Sequence, residues 1–217
     1  MSISSAAHQG KLFIVRQIIE AEPNAANTLD EDRRTPLHWA ASGGHLDIVE
    51  YLLRNASIVD ALDDSGWSPL LIAVSAGHHS VVEALIEAKA DVNLQNESGQ
   101  TALHYAASKN RIEIIKLLIE KGADVNLANN IKQTPLHRAT VQGYTSLVRL
   151  LIDSGARLNV RDRVANTPLH LACEDGHGDT AVVLIEHGAQ TDLVNADGKT
   201  PLDLTSKAVR EALGGLR

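Results

Sequence analysis

The chain has 217 residues, a net charge of −7, ten histidines and one cysteine, and 44% of its residues are hydrophobic while only 3% are aromatic. The acidic balance argues against nucleic acid, which a basic face would serve, and one cysteine excludes a disulfide framework or a cysteine-built zinc cluster. No basic-then-apolar leader opens the sequence and no stretch reaches the ~20 apolar residues of a membrane span, so a soluble, intracellular protein is expected, without nucleic-acid or membrane partners.

From the N-terminus, Ala6, Ala7 and Gly10 followed by Val15, Ile18 and Ile19 predict a short helix, a turn and a second helix. The same order returns at Ala40, Ala41, Gly44, Val49, Leu52 and Leu53, with one extra residue in the loop around Pro23 to Asn27. From there the chain is periodic. TPLHWAASGGH begins at Thr35, SPLLIAVSAGH at Ser68, TALHYAASKNR at Thr101, TPLHRATVQGY at Thr134, TPLHLACEDGH at Thr167 and TPLDLTSKAVR at Thr200, each 33 residues after the last.

Each position of the phrase has a physical task. Thr or Ser is suited to N-cap the helix, and Pro fits its first turn, where no N–H is needed. Leu37, Leu70, Leu103, Leu136 and Leu169 are expected in the core, with small residues such as Ala106 and Ala107 allowing close helix approach. Gly44, Gly77, Gly143 and Gly176, with Asn110 once in place of glycine, end the first helix. The second helices carry stripes such as Ile114, Ile115, Leu118 and Ile119, and Gly122, Gly155 and Gly188 close them. Polar turns such as Asp63–Gly66 and Asn96–Gly99 are expected to form short β-hairpin fingers.

A strict 33-residue period with this T-P-L-H-x-A core resembles the ankyrin repeat. The resemblance implies a single all-α domain, residues 1–217, with short β-hairpin fingers: an ankyrin-repeat solenoid of seven repeats. Residues 1–33 form an N-terminal capping repeat, 34–199 five full repeats and 200–217 a C-terminal capping repeat, whose second helix stops early at Gly214–Gly215.

Neither catalysis nor a cofactor or metal is expected. His38, His104, His137 and His170 recur with the repeat, so they stand about one helix-packing distance apart, roughly 8–10 Å, and cannot share an ion that needs ligands at ~2 Å. Their expected task is hydrogen bonding to backbone between adjacent fingers. Cys173 and His177 are four apart but have no further ligand nearby, and His78–His79 reads as a solvated turn. No Gly-rich phosphate loop or H-E-x-x-H motif occurs.

Binding remains. Fingertips and the exposed side of the first helices are expected to line a concave face. The early tips carry Glu31, Asp32, Asp64 and Glu97, and the later ones Asn130, Ile131, Arg163 and Val164, while Lys109 and Arg138 add positive charge along the first helices. Trp67 sits at a fingertip where the fold asks for no aromatic, the kind of residue that anchors interfaces. Trp39 replaces a usual Leu within a first helix, where packing and partner contact are both open.

The non-consensus stretches DEDRRTPLHWAASGGHLDIVEYLL, DDSGWSPL, TALHYAASKNRIEI and NTPLHLACED resemble the gankyrin family and its fungal counterparts along nearly the whole chain. That family comprises seven-repeat ankyrin chaperones of the proteasome regulatory particle. The resemblance implies a partner, the C-terminal domain of one AAA ATPase subunit of the proteasome base, with Asp32 and Asp64 meeting basic residues and Arg34 and Lys109 acidic ones. It implies a non-catalytic mechanism, in which holding that domain delays docking of the ATPase on the proteolytic core. Leu171-Ala172-Cys173-Glu174-Asp175 departs from the L-x-C-x-E motif of mammalian members by ending in Asp, so the retinoblastoma-protein interaction linked to it is not expected here. The alternative is a general ankyrin adaptor or inhibitor, for instance of a cyclin-dependent kinase.

Overall fold

The structure, a computed structural model, describes residues 1–205; the expected helix stop at Gly214–Gly215 lies outside them. The chain forms two compact units, the first of residues 1–106 and 113–123, the second of residues 107–112 and 124 onward.

In the first unit, α1 (Ile3–His8), α3 (Pro36–Gly43) and α5 (Pro69–Ala76) pack one on the next as an inner row. Behind each lies the second helix of its pair, α2 (Leu12–Ala21), α4 (Leu46–Arg54) and α6 (His79–Glu87), and these also pack in succession. The pair α7 (Ala102–Ser108) and α8 (Ile112–Glu120) follows in sequence. In the second unit, α9 (Pro135–Val141) packs on α11 (Pro168–Glu174) and α10 (Thr145–Asp153) on α12 (Gly178–Glu186), and a 3₁₀ turn at Pro201–Leu204 rests on α11. Leu37, Ile48, Leu52, Leu70 and Leu85 are fully buried in the first unit, as are Leu136, Leu147 and Leu151 in the second.

Why the first helices begin where they do is visible at Thr35. Its backbone N–H donates to His38 Nδ1 at 3.0 Å, and its hydroxyl lies 2.8 Å from the same nitrogen. The ring thereby reaches back and satisfies a donor that a helix start leaves free. Thr134 with His137 and Thr167 with His170 repeat the arrangement. Because Nδ1 accepts a backbone N–H, the proton of each neutral ring is on Nε2. His38 Nε2 donates to the Trp67 carbonyl at 3.0 Å and His170 Nε2 to the Lys199 carbonyl at 3.1 Å, so these rings tie one finger to the next as expected.

At the turn after α5, where a solvated edge is expected at His78–His79, His79 is exposed and His78 is not. His78 is half-buried, and its Nε2 donates to the Ser42 carbonyl of the preceding repeat at 3.1 Å. The ring lies over Gly44, where a Cβ would come within 2.6 Å of it. His45 over Gly10 and His177 over Gly143 repeat the strut, with the carbonyls of His8 and Val141 as acceptors. Glycine is required here both for its positive φ and for this close approach.

The fingers are tight turns rather than β-hairpins; no strand occurs among the described residues. The reason is local. In each finger one Asp or Asn side chain accepts the N–H groups two and four residues on, as Asp63 Oδ1 does from Ser65 at 3.0 Å and Trp67 at 2.8 Å. Asp30, Asn96, Asn129, Asp162 and Asn195 do the same. Side chains thus close the turn, and one backbone bond joins neighbouring tips, such as Asp64 N–H to the Asp32 carbonyl at 3.1 Å. A second polar row lies behind: Asn27 donates to the Ala56 carbonyl at 3.0 Å and accepts from Ile58 N–H at 2.9 Å, and Asn126 bridges Gly155 and Arg157 likewise.

Candidate protein-binding surface

Five of the seven residues expected to meet a partner lie in the first unit: Asp32, Arg34, Trp39, Asp64 and Trp67. The finger ahead of α3 and the one ahead of α5 bring them together. Trp39 is half-buried on α3, and its Nε1 donates to Asp30 Oδ2 at 2.6 Å. Asp30 therefore closes its own finger with one oxygen and orients the indole with the other. His8 meets the ring edge-on at 5.3 Å, and the Arg34 guanidinium lies over it at 5.2 Å. Between packing and partner contact, the structure gives Trp39 both an internal anchor and an open face.

Arg34 also donates from Nε to Asp63 Oδ2 at 3.1 Å; the carboxylate is fully buried and the Arg side chain one-third exposed. It is a strut between consecutive fingers as well as a surface cation. Trp67 is half-buried rather than free at the tip, since its ring packs on Tyr105 with centroids 4.5 Å apart. Its carbonyl receives His38 and its N–H is held by Asp63. Together Arg34, His38, Trp39, Ser42, Trp67 and Ile72 line a groove of about 280 Å³ between α3 and α5. Asp32 and Asp64 stand exposed on adjacent tips beside it, and neither carboxylate pairs with a cation among the described residues.

Lys109 and Arg138 belong to the second unit. Lys109 is exposed just beyond α7. Arg138 is half-buried on α9, where its Nε donates to Ser108 Oγ at 2.9 Å, so part of its hydrogen-bonding capacity is used within the unit.

The sequence reading missed the partners that hold these residues, above all Asp30 beneath Trp39 and Asp63 beneath Arg34. The signal available was the recurrence of an Asp or Asn five residues before each Thr or Ser, at Asp30, Asp63, Asn96, Asn129, Asp162 and Asn195.

Burial governs the titratable groups beneath this surface. Burial lowers the basicity of His38 and His170 and brings His137 down to about 4, so these rings stay neutral in their structural bonds. Cys173 is fully buried, and burial pushes its thiol up to about 12, far from the thiolate a nucleophile needs. Among the described residues no group of three or more His, Cys, Asp or Glu is placed to hold a metal, and no helix is long and apolar enough to cross a membrane. Charge is uneven: the first unit has sixteen acidic side chains against eight basic ones, the second eleven against twelve.

Comparison with known proteins places these features in a family. Profiles described as ankyrin repeats match residues 3–96 and 88–162 (three copies) and 150–204 (many copies). The human 26S proteasome non-ATPase regulatory subunit 10 is 43% identical over 54 residues, 25% of this chain and 24% of that protein. Human ankyrin repeat domain-containing protein 49 is 45% identical over 56 residues, 26% of this chain and 23% of that one. The matched part thus spans about a quarter of the length of these relatives, against the nearly whole-chain resemblance read from the motifs. The ankyrin repeat domain of human ASB11 superposes with a TM-score of 0.88 at 27% identity, covering 100% of this chain and 98% of that one. With its repeats matched from residue 3 to residue 204 and its first helices opened by the recurring Thr-Pro phrase, the chain belongs to the ankyrin-repeat family.

Proposed function

We propose that this protein is a non-catalytic chaperone for assembly of the proteasome regulatory-particle base, acting as a monomer in cytoplasm and nucleus. It holds the C-terminal domain of one AAA ATPase subunit and thereby delays that subunit's docking on the proteolytic core. The observation that carries the reading is the cluster in the first unit. Asp32 and Asp64 stand unpaired on adjacent tips, next to a groove walled by Trp39, Trp67 and Arg34. A partner with a basic stripe and side chains fitting that groove would find both its charges and its anchors met. The name of the 43%-identical human relative supports the proteasome as the setting.

Pull-down from a lysate with the intact chain is expected to recover one ATPase subunit with its base neighbours, identified by mass. The double variant Asp32→Lys/Asp64→Lys is expected to fold normally, because both side chains are exposed, and to lose that recovery. Undiminished recovery with the double variant would show that the site lies elsewhere. A second reading, a general ankyrin adaptor, is favoured by the comparable match to ankyrin repeat domain-containing protein 49. It predicts a different protein class, such as a kinase, in the same experiment.

A further inference from the structure

We infer that the fingertips of the second unit form a separate docking surface, for an acidic protein segment that presents apolar side chains. Arg163 N–H donates to the Ile131 carbonyl at 2.9 Å, which sets the finger ahead of α9 directly beside the finger ahead of α11. The next finger is joined in the same way, by Ala196 N–H to the Val164 carbonyl at 3.0 Å. At the tips Ile131 is 43% and Val164 53% exposed. The corresponding tip positions in the first unit are Asp32, Ser65 and Ser98, so nothing in the repeat asks for an apolar residue there. One exposed aliphatic side chain is ordinary; two on tips bonded to each other make a patch.

Cations surround the pair. Lys132, Arg161 and Arg163 are exposed, and none of them forms an ion pair among the described residues. The carboxylate between the two arginines, Asp162, is turned inward and only 8% exposed. It accepts Val164 N–H at 3.0 Å, Asn166 N–H at 2.9 Å and Gln133 Nε2 at 3.4 Å, so its hydrogen bonds are spent inside the turn. The first unit arranges the same position differently, with Arg34 drawn onto the buried Asp63. Gln133 stands where Arg34 does, and the arginines of the second unit are left facing outward. Exposed carboxylates of the same unit stand at Asp192 and Asp197 in the connection that follows and at Glu174–Asp175 at the far end of α11, and none of them forms an ion pair with these three cations.

Charge complementarity selects the occupant. Three unpaired cations around two aliphatic side chains fit a segment in which Asp or Glu flanks Leu, Ile or Phe. Single-stranded nucleic acid would call for aromatic platforms on which bases stack, and these tips have none.

The test is independent of the proteasome reading. A display library of random peptides of about twelve residues is selected on the full chain, then compared on the variant Arg161→Glu/Arg163→Glu/Val164→Ser. All three positions are exposed, and circular dichroism checks that the variant is folded. The expected result is a set of acidic peptides with interspersed apolar residues whose affinity falls about tenfold or more in the variant and weakens as salt rises. The Asp32→Lys/Asp64→Lys chain is expected to bind the same peptides unchanged, so failure of one surface is distinguishable from failure of the other. The proposal is overturned if the selected peptides are basic or neutral, if no peptide depends on these three residues, or if phosphatidylserine vesicles or an oligonucleotide bind there instead.

Discussion

Ala56 and Lys89 hold left-handed backbone, with φ of 60° and 72°, at the position where Gly122, Gly155 and Gly188 close later second helices. An L-residue is disfavoured there by the approach of its Cβ to the backbone. At Gly122 a Cβ would meet nothing within 4 Å, so the cost at this position is one of conformation, not of crowding. Ala56→Gly and Lys89→Gly are each expected to raise stability by about 0.5–1 kcal/mol in urea unfolding, after the greater freedom glycine gives the unfolded chain is set against the relieved strain. Gly122→Ala should lower it by a similar amount, and a loss of stability in Ala56→Gly would contradict the account. At this scale the sequence was readable wherever the determinant is local: Thr before Pro, or Gly after the last apolar residue. It was silent on Trp39 and Asp30, nine residues apart, and on Arg34 and Asp63, twenty-nine apart. Those contacts depend on how a finger folds back and on the register between repeats, which no short window of sequence contains.

Between helix pairs, stability is carried by rows of Asn and Asp as well as by Leu and Ile. In the rear row Asn27, Asn93 and Asn126 each donate to a carbonyl of the next repeat. Asp60 occupies the same place and can only accept, from Asp91 N–H at 3.1 Å. Burial, with the neighbouring Asp91 charge adding to it, raises the pKa of Asp60. A carboxyl held above its unfolded value stabilises the fold least where it is ionised, at neutral pH, and the penalty disappears as pH falls below the ordinary carboxylate range. Asp60→Asn removes the charge and supplies the missing donor, so a gain of about 1 kcal/mol at pH 7 is expected, shrinking toward pH 4. Denaturation of both forms across that range tests it; a gain that persists undiminished in acid would assign the effect to the hydrogen bond alone. The helices themselves were legible from period and caps, whereas the fingers were misread as hairpins. Asp63 and its equivalents compete for the backbone N–H groups that a strand ladder would have used.

Across the molecule, the histidines set an acid limit. His38, His137 and His170 accept a backbone N–H on Nδ1 and have lowered pKa values, His137 at about 4. Their stabilisation is complete above the unfolded value near 6.5 and is lost as pH falls through the folded values. For His137 alone, the fall from 6.5 to about 4 corresponds to roughly 3 kcal/mol. Urea midpoints are expected to decline between pH 6.5 and 4 with net proton uptake on unfolding, and His137→Gln should flatten the slope while lowering stability at pH 7. His137 Nε2 has no hydrogen-bond partner among the described residues, so this ring lacks the tie to the next finger that His38 and His170 make. Family and repeat order could be read from the 33-residue period, because every unit repeats the same caps. The partner could not, since the distinguishing residues are scattered tips whose surroundings only the packed repeats create.

Cys173 gives the second unit an internal clock. It is the chain's one thiol, lies fully enclosed on α11, and is held protonated by its surroundings. A thiol reagent can reach it only during excursions that separate α11 from its neighbours. The labelling rate in native buffer therefore measures how often that part of the stack breathes, without unfolding the rest and without introducing a cysteine foreign to the chain.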